Sequence, residues 1–136
     1  MNATAGQTDP SRRRPAGKWI LIVGDQPVLR DILERFFQAA GHFVSTAADS
    51  REGLAKAHML PIDLIVLDLD MAGSFALAVK LKNEPATARV PRLLISARLK
   101  PHDLAKIPGA EPDLFLSVPF SLADVRRLLK GMREDK

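Results

Sequence analysis

"PIDLIVLDLDMAG", residues 61–73, decides the reading of this chain. Residues 64–67 form an unbroken apolar run of strand length. Such a run without alternation marks a strand buried on both faces, as in a parallel sheet. It stops at Asp68, and Asp70 follows two residues later. A buried strand that delivers carboxylates at its tip needs a reason, because an ionised carboxylate resists leaving water.

The flanking sequence supplies the rest of the sheet. Upstream, Trp19–Val23 is a short apolar strand. Pro27 suits the first turn of a helix carrying Val28, Leu29, Ile32, Leu33, Phe36 and Phe37 at helical spacing, and Gly41 ends it. Residues 43–46 make a second strand. "DSRE", residues 49–52, predicts a capping box in which Asp49 caps and Glu52 reaches back, and the helix continues through Leu54, Ala57 and Met59 to Pro61. Downstream of the third strand (63–67), residues 74–82 are helical through Leu77, Val79 and Leu81. Pro91 opens a fourth strand at 92–95, and a short helix is boxed between prolines at 101–107. A fifth strand spans Leu114–Ser117, and Ser121 and Asp124 cap a last helix carrying Leu122, Val125, Leu128 and Leu129. Five strand–helix units in strict alternation predict an α/β fold, a five-stranded parallel sheet with helices on both faces. Ligands of such sheets bind beyond the carboxyl ends of the strands. Asp25, Asp68, Asp70, Ser96 and "SVPF" all fall at that edge.

Composition narrows the function. The chain has 136 residues, 46% hydrophobic and 26% charged, which suits one globular domain. Without cysteine there is no disulfide, thiolate zinc site or thiol nucleophile. No apolar run is long enough to span a membrane, and no secretory signal is visible, so a cytoplasmic location is expected. The net charge is +4, but residues 1–18 hold Arg12, Arg13, Arg14 and Lys18 against Asp9, leaving the remainder near neutral. Residues 1–17 therefore read as a disordered basic leader, 18–132 as the folded domain and 133–136 as a short polar tail. Nucleic acid is not the expected partner. His42, His58 and His102 have no ligand spacing and read as surface or packing residues.

Four stretches in order resemble the receiver domain of two-component response regulators: "ILIVGDQP" (20–27), "PIDLIVLDLDMAG" (61–73), "VPRLLISA" (90–97) and "GAEPDLFLSVPFS" (109–121). The resemblance covers about residues 18–132 and implies the flavodoxin-like (βα)5 fold. It implies that Asp68 accepts a phosphoryl group as a carboxylate nucleophile. Mg²⁺ is implied at Asp25, Asp68 and the main-chain carbonyl of Asp70. By the same resemblance Ser96 contacts the phosphoryl group and Phe115 stands at the switch aromatic's place.

The departures from that pattern shape the expected function. Gly24 stands where the first of an acidic pair belongs. Val118 precedes Pro119 where the family carries lysine, and "MAGSF" is about two residues short. A cation about 4 Å from a charged oxygen contributes at most ~4 kcal/mol at an effective dielectric near 20. Half of that shifts a two-state equilibrium more than tenfold. The expectation is a degenerate, pseudo-receiver-like signalling module, not an enzyme. It belongs to two-component phosphorelay signal transduction, binds Mg²⁺ weakly and acts through a protein partner such as a histidine kinase or a downstream signalling protein. No output domain follows residue 136, so the chain reads as a stand-alone receiver or a piece of a longer one. The alternative is a fully phosphorylatable switch with Asp68 as acceptor. A remoter one is an Asp-x-Asp phosphatase of haloacid-dehalogenase type. That family needs the motif on its first core strand and an acidic pair that "GAEPDLFL" lacks.

Overall fold

The computed structural model describes residues 17–134. Five strands, β1 (Trp19–Val23), β2 (Phe43–Ala47), β3 (Leu64–Asp68), β4 (Arg92–Ser96) and β5 (Leu114–Ser117), alternate with five helices. These are α1 (Pro27–Ala39), α2 (Ser50–Met59), α3 (Ser74–Asn83), α4 (Pro101–Leu104) and α5 (Leu122–Glu134). All strand pairs are parallel, in the order β2-β1-β3-β4-β5, so β3 is central.

Alternation along the strands divides the core. Ile20, Ile22, Leu64, Val66, Leu93 and Ile95 face Leu33, Phe36, Phe37, Val125 and Leu129 of α1 and α5. Leu21, Val23, Ile65, Leu67 and Leu94 face Ala57, Leu77, Ala78, Leu81 and Leu104 of α2, α3 and α4. This accounts for the unbroken apolar run of β3: both of its faces are covered.

Element ends refine the expectations. β3 extends to Asp68 and β4 to Ser96, because ladder hydrogen bonds use the backbone whatever the side chain; Asp68 pairs with Ile95 and Ser96 with Ser117. The predicted helix at 101–107 contracts to Pro101–Leu104, and the chain then turns, with Gly109 at φ +85°. Asp49 caps α2 by accepting from Glu52 N at 2.8 Å, and Glu52 reaches back to Ala48 N at 2.9 Å. At α5, Ser121 and Asp124 bond reciprocally, at 2.9 and 3.1 Å. Gly17 is buried, and a Cβ there would meet the Phe43 ring at 2.9 Å, so the domain starts before residue 18. α5 takes in Arg133 and Glu134 of the stretch read as a tail. The rest of the leader reading, residues 1–16, and Asp135 and Lys136 lie outside the described residues.

Arg92 is a buried charge that sequence reading passed over, 1% exposed at the start of β4. Its guanidinium donates to the carbonyls of Ala78 (2.8 Å), Gly109 (3.0 Å) and Glu111. Its Nε lies 3.7 Å from Asp113, a charge contact without a hydrogen bond. The side chain thus ties β4 to α3 and to the loop before β5.

Candidate functional site

The carboxyl ends of β1, β3 and β4 gather the predicted residues. Asp68 is 5% exposed, and its Oδ1 accepts from Asp70 N at 2.9 Å. Burial, the largest influence, raises its pKa above the ordinary carboxylate value. The Asp70 N–H opposes this, the charges of Asp70 and Asp25 add to it, and Arg98 lowers it. Gly24 faces this carboxylate: a Cβ built there would lie 3.3 Å from Asp68 Cβ. The Gly24 carbonyl accepts from Arg30 Nη1 at 2.7 Å. Asp25 is exposed beside it.

The Asp70 carboxylate bonds to the residues at the end of β4. Its Oδ1 accepts from Ser96 Oγ at 2.9 Å and Arg98 Nε at 3.1 Å, and its Oδ2 accepts from Ala97 N at 2.8 Å. Burial raises its pKa, but the bonds from Ala97, Ser96 and Arg98 together outweigh burial and leave it lowered. Ser96 is 1% exposed and also accepts from Arg98 N (3.0 Å) and Leu99 N (2.9 Å), so all three capacities of its hydroxyl are filled.

Phe115 is half-buried and packs on the α2–α3–α4 side. Val118 packs on the α1–α5 side. Its N–H donates to the Ser96 carbonyl at 3.0 Å, and the bond to Pro119 is cis. The structure therefore brings Gly24, Asp25, Asp68, Asp70 and Ser96 to one edge, while the Phe115 and Val118 side chains pack on opposite faces of the sheet. Sequence reading missed that the Asp70 carboxylate, not only its carbonyl, belongs to the site, where Arg98 joins it. The contact from Asp70 to Ala97 spans 27 positions. The usable signal was sheet order: with β3 beside β4, the loops after them must touch.

The metal expectation meets a sparse donor set. Among the described residues no group of three or more acidic or histidine side chains is gathered to hold an ion. The Asp70 carboxylate is turned to Ser96, Ala97 and Arg98, which leaves the Asp25 and Asp68 carboxylates and the Asp70 carbonyl. These are hard oxygen donors, and Mg²⁺ keeps several waters when bound. The residues present fit a loosely held ion.

A parallel five-stranded sheet with a buried aspartate at the tip of its central strand defines a class, and comparison with known proteins agrees. Residues 20–130 match the response regulator receiver domain, and the chain belongs to that family. It is 35% identical over 119 residues, 82% of this chain and 48% of the relative, to the DNA-binding dual master transcriptional regulator RpaA of Synechocystis sp.. The chain spans less than half the length of the curated relatives it matches. The chemotaxis protein CheY4 of Vibrio cholerae superimposes with a TM-score of 0.77 at 26% identity, covering 85% of this chain and 98% of that one. The receiver domain of the sensor histidine kinase PA1611 of Pseudomonas aeruginosa, which has a magnesium ion coordinated in its active-site cleft, superimposes with a TM-score of 0.76 at 24% identity. That match covers 88% of this chain and 99% of the other. The chain is thus a receiver domain of two-component signalling, a family of signalling modules. Among the described residues no helix is long and apolar enough to cross a membrane.

Proposed function

We propose that this receiver takes a phosphoryl group at Asp68 slowly, through an incomplete site, and signals chiefly by binding a protein partner. The observation that supports this most is the pair of substitutions around Asp68. Position 24, which faces the acceptor, is glycine, and the residue before cis-Pro119 is a half-buried valine packed against the core. Neither can bring a charge to a phosphoryl group. Asp25, Asp68 and the Asp70 carbonyl would hold Mg²⁺, which when bound neutralises charge on the phosphoryl oxygens. The partner is a histidine kinase or a downstream signalling protein, nucleic acid is not contacted by this domain, and the setting is the cytoplasm. A second reading, a complete phosphorylation switch, draws on Arg98, whose guanidinium stands at this edge and lowers the Asp68 pKa.

Acetyl phosphate with Mg²⁺ tests the proposal. An Asp68 oxygen forms a bond to phosphorus as the bond from phosphorus to the acetate oxygen breaks, and acetate leaves. Intact-mass measurement should show slow, partial addition of one phosphoryl group, abolished in Asp68→Asn. Rapid, complete labelling would favour the switch, and labelling that survives Asp68→Asn would remove Asp68 as acceptor.

A further inference from the structure

α1 and α5 cover the same face of the sheet, and an open groove of about 990 Å³ lies between them. Its α1 wall is apolar: Phe36, Ala39 and Ala40 stand at i, i+3 and i+4. Its α5 wall is basic: Ala123, Arg126, Arg127 and Lys130 follow at i, i+3, i+4 and i+7, one stripe of the helix. Buried Leu129 completes the floor beside Phe36. The Arg126 guanidinium lies over the Phe36 ring, 5.6 Å from its centre. Arg127 reaches Asp124 at 3.3 Å, an exposed pair that water and salt screen. Among the described residues neither Arg126 nor Lys130 has a carboxylate partner, and no acid lines the groove. α1 starts at Pro27, just after Asp25, and runs away from the carboxyl edge, so Phe36, Ala39 and Ala40 stand at its far end from Asp68.

The two walls select among occupants. A second copy of the chain would set the basic wall against itself in a two-fold contact. The stretch holding Arg12, Arg13 and Arg14 carries the same sign as that wall. A nucleic acid offers phosphates to the basic wall and no apolar surface to the other. A helix with carboxylates along one side and apolar side chains along the next meets both walls at once. We propose that the α1–α5 groove binds an acidic amphipathic helix of a protein partner. Its apolar side chains lie on Phe36, Ala39 and Ala40, and its carboxylates pair with Arg126, Arg127 and Lys130. Arg126, laid flat on Phe36, keeps the N–H groups at its edge free to meet a carboxylate in its own plane. The contact does not involve Asp68, so it forms with or without a phosphoryl group there. This deepens the reading of the receiver as a partner-binding module and rests on that reading, not on the slow chemistry of Asp68.

A fluorescently labelled peptide of about 18 residues tests it, with leucines at helical spacing and glutamates on the adjoining side. The comparison peptides carry glutamine or lysine in place of glutamate. Anisotropy with the full chain should give micromolar binding of the acidic peptide, about tenfold or more weaker binding of the glutamine peptide, and none of the lysine peptide. Ala123→Glu adds a carboxylate to the first turn of α5, where a helix favours one, and Arg127→Glu with Lys130→Glu reverses the basic wall. Each should weaken the acidic peptide about tenfold or more, at a melting temperature near the wild type's. Asp68→Asn should bind it as the wild type does. Amide shifts should centre on Ala39, Ala40 and Lys130. Equal binding of the three peptides, binding unchanged in both groove variants, or shifts confined to other faces overturns the proposal. Without peptide binding, a dimer that Ala123→Glu dissolves gives the groove to a second copy. Duplex DNA or phosphatidylglycerol vesicles held through Arg127 and Lys130 give it to phosphate. Either result also overturns the acidic helix. Acetyl phosphate labelling of the same samples keeps the two readings apart. Slow, Asp68-dependent labelling without peptide binding removes the groove and leaves the incomplete site. Peptide binding with rapid, complete labelling keeps the groove and removes the slow site.

Discussion

Asp68 is an acid held where acids are uncomfortable. Burial raises its pKa, and Asp70 and Asp25 add like charge. A carboxyl whose folded pKa lies above its unfolded value favours folding while protonated and loses that contribution as pH rises through the folded pKa. At neutral pH the ionised Asp68 therefore costs stability in the absence of metal. Asp68→Asn, which can still accept from Asp70 N, should melt at a higher temperature than the wild type at pH 7 in a chelator. The gain should vanish below about pH 4, where the unfolded carboxylate is protonated too. Melting curves across that range check the sign, and a lower melting temperature for the variant at pH 7 would show that the Asp68 charge is needed by the fold. Asp70 has the opposite sign: its lowered pKa means stability present above the ordinary carboxylate pKa and lost as pH falls through the folded value.

Two contacts between elements carry comparable tests. Gly53 lies inside α2, where alanine is preferred by about 1 kcal/mol. A Cβ there would meet Val23 Cγ1 at 2.9 Å and Cγ2 at 3.0 Å, on a stiff β-branched side chain of β1. Overpacking should win, and Gly53→Ala should destabilise by about 1–2 kcal/mol in urea unfolding; an increase would mean that α2 slides outward freely. Arg92 is the second tie. Arg92→Met keeps the buried volume but leaves the carbonyls of Ala78, Gly109 and Glu111 without their donor, and should cost about 2–3 kcal/mol. A neutral result would mean that water or a shifted loop takes over those carbonyls. Helix caps were legible because their signal is local: Asp49 with Glu52, and Ser121 with Asp124, lie three positions apart. Arg92 was not legible, because nothing near it in sequence distinguishes a buried arginine from an exposed one, and its partners come from α3 and from the loop before β5.

At the scale of the molecule, the architecture was readable from the alternation of apolar runs and helical periodicity, since each unit must bury one strand and one helix face. The residues at the carboxyl edge followed from topology. What stayed hidden is which atoms they offer one another. The sequence reads Gly24 as an absent carboxylate, and in the structure this position faces Asp68. Gly24→Asp places a second carboxylate against Asp68 at the edge where all five strands end. Its Cβ would sit 3.3 Å from Asp68 Cβ, close enough that the neighbour must give by a few tenths of an ångström. Without metal, both crowding and like charge oppose folding, so the variant should melt below the wild type in a chelator. A divalent ion reverses the second effect. Any ligand that binds only the folded state stabilises it by RT ln(1 + [L]/Kd), about 2.7 kcal/mol at a hundredfold excess over Kd. The added ligand should tighten Kd, so the melting temperature of Gly24→Asp should climb with Mg²⁺ and meet or pass that of the wild type, whose own curve should be shallow. Measured across a Mg²⁺ series, a flat curve for the variant would show that the edge does not assemble an ion even with a carboxylate added at position 24. The loop of residues 69–73, with Asp70 drawn toward Ser96 and Arg98, would then be the obstacle, because the Asp70 carbonyl can join Asp25 and Asp68 around an ion only as far as that loop lets it.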